Sequence, residues 1–424
     1  MASIVNTWNG EWWIYNSEQD NNPKMQGELT CTEDGFIELK LHPNYKNNFF
    51  NCAWAKNYII WGIANNKEIT LFKAHVIAKN NPYEIRIGAS YALIGKHITS
   101  LSTPCFKSVN VEYNILKEFA TFNRIDYNED NKTITFSLSK DSENKEYSVS
   151  IDDNTNWIFR SVSNLSISHN YHAVQMGHDT IFSIVSKEKQ SLQFFHKHLL
   201  EFTDFLSIAF YSKQRPRKIS FVDDNKLHAY QLLFKIEPSA TNVYQRLIGD
   251  SVPQKHLHHI MKNWHIHYDE ISPIYKYLER SSFEVNGVGG IPEFLLIEFA
   301  VEGYFKRFHN NVKTKNKDMR KCEDELNELL KYYNGVELIR TLNLDVASIA
   351  ATRDTYAHLR PEEERKENEL RDPHEIWVAT EKLRILLLCC LLDSMGFTIK
   401  EIDTNFKTAP IFHPERYQNE FLFE

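Results

Sequence analysis

The stretch LDVASIAATRDTYAHLR, residues Leu344–Arg360, decides how the second half of this sequence is interpreted. Alanine recurs inside it, which favours a helix. Asn343 is a candidate N-cap, and Pro361 disfavours a helical conformation at the residue before it. The sequence therefore predicts a helix over 344–360, with His358 in the last turn, where the helix dipole favours a cationic side chain.

The same stretch holds the only Arg-x4-His spacing in the sequence, formed by Arg353 and His358, with Asp354 directly after the arginine. Asp354 and His358 are four residues apart, so they share one face of a helix. Arg353 lies about 140° away from His358 around a straight helix. To reach the imidazole, its long side chain must therefore wrap round the helix, or the helix must be distorted.

These residue types suit the cleavage of RNA without a metal ion. A histidine titrates near neutral pH and exchanges a proton with a ribose 2′-hydroxyl or a leaving oxygen. An arginine stabilises the negative charge on phosphorus, and an aspartate orients the imidazole. Arg353, Asp354 and His358 are therefore candidate catalytic residues, with Glu302 and Tyr356 as candidate supporting residues. A bare spacing of this kind also arises by chance, so a structural or surface role is the alternative.

Length and composition limit the classes to which the chain can belong. Its 424 residues are enough for two or three domains with cores of their own. The net charge of −7 excludes a globally basic nucleic-acid binder, so an RNA site must be a local patch. The six cysteines lack Cys-x-x-Cys spacing, which predicts neither a zinc site nor a disulfide framework. We expect a cytoplasmic protein without a signal peptide, membrane span, cofactor or metal.

The first part of the chain has the pattern of a β-rich domain. Short runs of β-branched and aromatic residues, separated by turn clusters, predict strands at Glu11–Tyr15, Gln26–Thr32, Phe36–Leu41, Tyr58–Ile63, Ile69–His75, Glu84–Ala89, Thr133–Leu138, Tyr147–Ile151, Thr180–Ile184 and Lys226–Ile236. Glu33–Gly35 suits a hairpin turn. Strands without long helices between them predict a sandwich or open barrel. One helical pattern, Lys187–Ser212, interrupts them.

Two features of this region have two interpretations each. Five tryptophans either form a surface on which a ligand stacks or belong to the core and rim of the fold. They are Trp12, Trp13, Trp54, Trp61 and Trp157. The basic cluster Lys213–Lys218 binds phosphates or is a solvated loop.

From about residue 254 the apolar period becomes helical, and we predict helices at 254–265, 269–282, 292–310, 317–333, 344–360 and 373–395. The stretch Lys255–His267 contains five histidines, a conceivable metal cluster for which neither cysteine nor a carboxylate at ligand spacing is present: His256, His258, His259, His265 and His267. The domains predicted from these patterns are 1–236, β-rich with one long helix, and 254–424, all-α.

Three further features surround the candidate helix. Glu298 and Glu302 lie one helical turn apart. Either both point at the candidate helix 344–360, or Glu302 pairs with Lys306 on the surface. Pro361–Glu375 has seven acidic and three basic residues, which does not favour RNA binding beside His358. The last long helix is apolar around most of its circumference, so it is central or buried in a partner subunit.

The Arg-Asp-x3-His of Arg353, Asp354 and His358, followed by a long amphipathic helix, resembles the signature of the HEPN ribonuclease superfamily. The segment FLLIEFAVEGYFKR and the opening GEWWIY with a Gly-x-Leu hairpin resemble its ApeA-like subgroup, in which a β-rich N-terminal domain precedes a HEPN domain. The family often has asparagine where this sequence has Asp354.

The resemblance implies an anti-phage, abortive-infection ribonuclease in which the β-rich domain senses or regulates. Arg353 and His358 would form its site, and two protomers would pair so that both motifs face one cleft. The expected products are a 2′,3′-cyclic phosphate and a 5′-hydroxyl, and a phage-encoded trigger is an expected partner. The competing interpretation is a HEPN-like module that binds a partner without catalysis, joined to a ligand-sensing β domain.

Overall fold

In the computed structural model, strands dominate the first part of the chain, interrupted by helices at Leu116–Phe119 and Leu192–Ala209, and helices make up the second part. The structure describes residues 3–15, 24–42, 57–80, 84–119, 125–130, 133–138, 146–167, 174–224, 229–235, 246–248, 254–283, 290–309 and 322–412. By its contacts the chain divides into two units: residues 1–200 with 215–239, and residues 201–214 with 240–424. The first unit contains the strands, which confirms the predicted β-rich N-terminal region.

The described strands, in chain order, are β1 (Ile4–Ile14), β2 (Met25–Thr32), β3 (Ile37–His42), β4 (Tyr58–Ala64), β5 (Lys67–Asn80), β6 (Glu84–Ala89), β7 (Tyr91–Ile94), β8 (Phe106–Glu112), β9 (Ile125–Asp130), β10 (Thr133–Leu138), β11 (Glu146–Ser150), β12 (Thr155–Ile167), β13 (Val174–Gln190), β14 (Lys218–Val222) and β15 (Ala229–Phe234). Every predicted strand coincides with one of them. The predictions missed β7, β8, β9, β12 and β14.

Six strands close into a barrel, in the antiparallel order β1-β2-β3-β6-β5-β4 and back to β1. Closure removes the exposed edges of an open sheet. β5 pairs with β4 through its first half and with β6 through its second, and Lys73, at φ 51°, lies between the two halves. The same first half of β5 continues into a sheet of order β7-β15-β14-β8-β13-β12-β11. The predicted barrel is therefore closed rather than open.

The barrel interior explains two features of its sequence. Trp12 is fully buried, and its indole lies 2.2 Å from where a Cβ on Gly62 would stand, so glycine is required opposite it. Gly35 has φ 75°, the left-handed conformation that the predicted hairpin turn between β2 and β3 needs. Alternating residues of all six strands fill the core around Trp12.

The structure shows the surroundings of the tryptophans and of the basic cluster Lys213–Lys218. Trp12 and Trp157 are core residues, whereas Trp13 and Trp61 are half-buried and Trp54 lies outside the described residues. In the basic cluster, Lys213 pairs with Glu279 at 3.6 Å, and Arg217 and Lys218 both pair with Glu112, at 2.8 and 3.0 Å. These three cations therefore already have carboxylate partners.

The described helices are α1 (Leu116–Phe119), α2 (Leu192–Ala209), α3 (Gln254–Leu278), α4 (Ile291–Tyr304), α5 (Cys322–Tyr332), α6 (Glu337–Thr341), α7 (Val346–Ala357), α8 (Pro373–Ser394) and α9 (Ile399–Thr408). The predicted break between 265 and 269 is wrong, because α3 runs through it and through Pro273 into a π turn, Glu279–Phe283. The predicted helix 292–310 likewise ends as a π turn, Phe305–His309. Among the described residues, no helix combines the length and apolar composition that a membrane crossing requires.

Helix α4 is the centre of the helical unit, where it packs against α3, α7 and α8. Its Glu298 and Glu302 face α7, while Tyr304, on the opposite side, donates to Asp393 of α8 at 3.0 Å. The last third of α8 is buried on all sides within one chain, so of the two alternatives, central or buried in a partner subunit, the structure has the first. α7 is therefore held in place by a helix that is itself enclosed by other helices.

Candidate functional site

Helix α7 begins two residues later than predicted because a different residue caps it. Asp345 is the N-cap, and its carboxylate accepts from Ser348 N at 3.1 Å and from Ser348 Oγ at 2.7 Å. Asn343, the predicted cap, has φ 42° and lies before the helix. Asp345 satisfies backbone donors in the first turn, so the helix is well defined at the end away from the motif.

The other end of α7 stops at His358, which is the C-cap, rather than at Arg360. Leu359 takes the left-handed conformation, φ 49°, and Arg360 N donates to Thr355 O at 3.0 Å. This is a Schellman turn, which usually has glycine where Leu359 stands. Leu359 is 86% exposed and the His358 side chain is 59% exposed. The candidate imidazole therefore lies at an open helix end, followed by a strained and solvent-facing leucine.

Arg353 has a different environment from His358. Its Nη2 donates to Glu302 Oε2 at 2.8 Å, its Nε lies 3.5 Å from Glu298 Oε2, and the guanidinium lies 5.6 Å from the Phe299 ring. All three partners belong to α4. The predicted wrap of Arg353 toward His358 is thus not what this structure contains, because two carboxylates hold the side chain on α4.

The carboxylates around Arg353 differ in burial and in proton affinity. Glu298 is 1% exposed, and this burial raises its pKa to about 7, although Cys322 Sγ donates to its Oε1 at 3.0 Å. Burial also favours the neutral form of Glu302, but hydrogen bonds from Lys306 and Arg353 outweigh it and lower the pKa. Burial would lower the Arg353 pKa, yet Glu298 and Glu302 raise it, so the guanidinium stays charged.

Asp354 pairs with two other cations, Arg360 and Lys366, besides the histidine that it was predicted to orient. Its Oδ1 lies 3.6 Å from His358 Nε2, which is an ion-pair distance and too long for a hydrogen bond. Its Oδ2 lies 3.1 Å from Arg360 Nη2 and 3.3 Å from Lys366 Nζ. Burial would raise the Asp354 pKa, but Lys366 and Arg360 together lower it. Asp354 is therefore a shared anion at this end of the helix.

The acidic segment after α7 is fastened to the helix by a buried glutamate. Glu369, whose side chain is 0% exposed, accepts from Thr355 Oγ1 at 2.7 Å and pairs with Arg365 and Arg371. Thr352 Oγ1 accepts from Leu370 N at 2.8 Å. These contacts hold the segment beside the end of α7, with its first three glutamates exposed to solvent.

Sequence reasoning found part of this arrangement. Glu302, a predicted supporting residue, contacts both Arg353 and Lys306, so both proposed roles occur at once. Tyr356, the other, lies under the Arg365 guanidinium at 5.6 Å and faces the acidic segment. Cys322 was missed, because no local pattern links it to Glu298 across 24 residues.

Three histidines of α3 have polar partners within the helical unit. His265 Nδ1 lies 2.8 Å from Glu201 Oε2, and His256 Nε2 lies 3.4 Å from Glu401 Oε1. His259 contacts Asn263, one turn along the helix. The carboxylate that the sequence pattern lacked beside His265 thus comes from another helix, α2.

Comparison with known families covers most of the chain. Residues 7–280 match the model of ApeA N-terminal domain 1, and residues 299–401 match the Apea-like HEPN model. The chain belongs to the ApeA-like HEPN family. This membership confirms the resemblance seen in the sequence. No curated protein and no solved structure shows significant similarity to the chain.

The HEPN match assigns the motif helix to the HEPN domain. Residues 299–401 include Glu302, Arg353, Asp354 and His358, and they begin one residue after Glu298. The N-terminal model extends over the barrel, the sheet and α3. All candidate residues of the site therefore belong to the HEPN part of the chain.

Proposed function

We propose that the protein is a metal-independent endoribonuclease of the HEPN type that acts in anti-phage defence by abortive infection. Arg353 and His358 are its catalytic residues, and Asp354 orients His358. The β-rich unit senses a trigger, phage-encoded in this proposal, and regulates the nuclease. Neither a metal nor a cofactor has a role in the proposed reaction.

The observation that supports this function most is the state of the two motif residues in a HEPN domain. Arg353 is held by carboxylates that keep it charged, while His358 is open to solvent and within 3.6 Å of an ionised carboxylate. A fixed cation and an accessible imidazole are the two groups that attack by a 2′-hydroxyl on phosphorus requires.

The proposed reaction proceeds by intramolecular transfer within the RNA. His358 accepts the 2′-hydroxyl proton as the 2′-oxygen bonds to phosphorus, and the bond to the 5′-oxygen breaks. The guanidinium of Arg353 stabilises the added negative charge on the phosphoryl oxygens. A proton returned to the leaving oxygen gives a 5′-hydroxyl, and the other product carries a 2′,3′-cyclic phosphate.

A second copy of the chain completes this proposal. Within the described residues of one chain, Arg353 and His358 have no common partner. His358 and Leu359 are both exposed at the same helix end, where a second protomer can approach. In a homodimer the imidazole of one copy and the guanidinium of the other would act on one phosphodiester.

One observation favours the non-catalytic alternative, in which the HEPN domain holds a partner. Arg353 has two carboxylate neighbours, and the segment after His358 exposes three glutamates, Glu362–Glu364. Both features oppose the approach of RNA phosphates. Cleavage assays separate the two proposals directly, because a binding module leaves RNA intact.

The test is cleavage of total RNA by the purified full-length protein in EDTA, with the ends of the products mapped. We expect cyclic-phosphate ends, and a loss of rate of about 100-fold or more for His358→Ala and Arg353→Lys. The same variants should lose toxicity when the protein is expressed during phage infection.

Matched controls come from the same unit. His374 is an exposed histidine at the start of α8, and Arg340 is an exposed arginine on α6. His374→Ala and Arg340→Lys should cleave at the wild-type rate. Undiminished cleavage by both motif variants would remove the site, and dependence on added metal would redirect attention to the histidines of α3.

A further inference from the structure

The way in which α4 holds Arg353 determines which part of the guanidinium a substrate can use. Nε and Nη2 lie on one edge of this planar group, and they face Glu298 Oε2 at 3.5 Å and Glu302 Oε2 at 2.8 Å. Glu298 and Glu302 are one helical turn apart, so the spacing of their carboxylates matches that edge. Nη1 and the outer hydrogen of Nη2 therefore point away from α4, toward any bound phosphate.

Arg353 and Glu298 form an ion pair but no hydrogen bond. Arg353 Nε and Glu298 Oε2 are both buried, and neither makes a hydrogen bond in the described part of the chain. The second oxygen of Glu298 accepts from the Cys322 thiol at 3.0 Å. A buried carboxylate oxygen without a hydrogen-bond donor is costly to keep charged, so Oε2 is where a proton would be taken up.

The charged and titratable groups that face Glu298 come from three helices. Arg353 approaches from α7, Glu302 from its own helix and Cys322 from the start of α5. Lys306 pairs with Glu302. With Glu298 ionised, its charge and that of Glu302 cancel those of Arg353 and Lys306. With Glu298 protonated, the cluster has a net charge of +1.

We infer that Glu298 is a positioning residue for Arg353 that takes up a proton when a phosphodiester binds, so that RNA affinity falls as pH rises. The inference rests on the proposed function, because it concerns the same guanidinium. A phosphate at the outer edge of Arg353 adds a negative charge near Glu298, which disfavours the ionised carboxylate. Proton uptake removes that repulsion while Glu302 keeps the guanidinium in place.

The titration falls in an accessible pH range, because burial raises the Glu298 pKa to about 7. The sign follows from the charge of the carboxylate. Below this pKa Glu298 is neutral and the cluster attracts phosphate, whereas above it Glu298 is ionised and competes with phosphate for Arg353. Binding and proton uptake are linked, so each favours the other.

The test is the affinity of the full-length protein for a single-stranded 2′-O-methyl RNA oligonucleotide, which lacks the attacking hydroxyl. Fluorescence anisotropy from pH 5.5 to 8.5 at constant ionic strength should show wild-type affinity falling about tenfold, the equivalent of one pKa unit. Glu298→Gln, neutral at every pH, should keep the affinity of the acidic limb and lose this dependence.

Two further variants identify the group. Glu293→Gln is the matched control, because Glu293 is another glutamate of α4 with a burial-raised pKa, but it pairs with Arg384. It should keep the wild-type slope. Cys322→Ala removes a donor that favours ionised Glu298, so the fall in affinity should move to higher pH. A His358→Ala background separates the effect of the exposed imidazole.

The outcomes distinguish this inference from the proposed function. Cleavage of unmodified RNA by the wild type, with an equal pH slope of binding in wild type and Glu298→Gln, would overturn the inference alone. A wild-type affinity that does not change with pH would do the same. Absence of both oligonucleotide binding and RNA cleavage at every pH would overturn the function and the inference together.

Discussion

Arg353 and His358 lie on one helix, yet their surroundings are opposite in kind. The Arg353 side chain is 22% exposed and has two carboxylates of α4 against it. The His358 side chain is 59% exposed, and the carboxylate that lies beside it, Asp354, is shared with Arg360 and Lys366. The fold therefore fixes the guanidinium before any substrate arrives and leaves the imidazole to be fixed by what binds.

In the proposed nuclease, this difference would give Arg353 and His358 different tasks. A preorganised cation needs no rearrangement when charge builds on phosphorus. An accessible imidazole can meet a substrate, or a second protomer, from outside the helical unit. Two residues of one motif can therefore contribute very differently to the stability of the fold, whatever role they share in the proposed reaction.

The largest expected effect is on folding. Arg353→Ala leaves Glu298 and Glu302 without their shared cation, so we expect the free energy of unfolding to fall by about 2–4 kcal/mol at pH 8. His358→Ala removes an exposed side chain and should change it by less than about 0.5 kcal/mol. Urea denaturation followed by tryptophan fluorescence measures both.

A compensating variant checks the cause. Combining Arg353→Ala with Glu298→Gln removes the unpaired charge of Glu298, while Glu302 keeps its ion pair with Lys306, and should restore part of the lost stability. Equal stabilities of the Arg353→Ala and His358→Ala proteins would mean that the contacts with α4 contribute nothing, and the contrast between the two residues would not hold.

The sequence predicted individual helices and turns better than the contacts between residues that are distant in the chain. The helix of the motif and the barrel hairpin at Gly35 both follow from local rules that depend on neighbouring residues. The stop at His358 could not be predicted, because the left-handed conformation of Leu359 after it is set by the surrounding fold rather than by the preference of leucine.

Long-range pairings show the same limit. Glu298 and Glu302 were identified as a pair one turn apart, but only the packing of α4 on α7 determines that both face Arg353. The Cys322 thiol and the burial of Glu298 have no sequence signature. Closure of the barrel likewise depends on the pairing of β6 with the part of β5 that follows Lys73. Predicted strand positions do not say which strands pair.

The next effect concerns the open end of α7. Leu359 is strained and 86% exposed, so we expect its side chain to be buried by a second protomer. Leu359→Gly accepts the same backbone conformation without strain, so the monomer should keep its stability. Self-association should weaken about tenfold or more, because burial of a leucine contributes about 1.5–3 kcal/mol.

Sedimentation velocity over a range of concentrations measures that change. Ile266→Ala is the control, since Ile266 is a similarly exposed aliphatic residue (59%) on a different helix, α3. The control should associate as the wild type does. Unchanged association of Leu359→Gly would place the interface elsewhere and leave the exposure of His358 without this explanation.

The smallest expected effect comes from charge. Both ends of the motif have carboxylates nearby, but those of α4 are compensated by Arg353 and Lys306, whereas Glu362–Glu364 are exposed. Replacing these three with glutamine should raise affinity for the 2′-O-methyl oligonucleotide about threefold at low salt, because the repulsion is long-range and solvent-screened.

The gain should disappear near 0.5 M salt, and Glu270→Gln, an exposed change on α3, should give none. A gain that persists at high salt would mean a direct contact instead, and the acidic segment would then belong to the binding site rather than to its electrostatic surroundings.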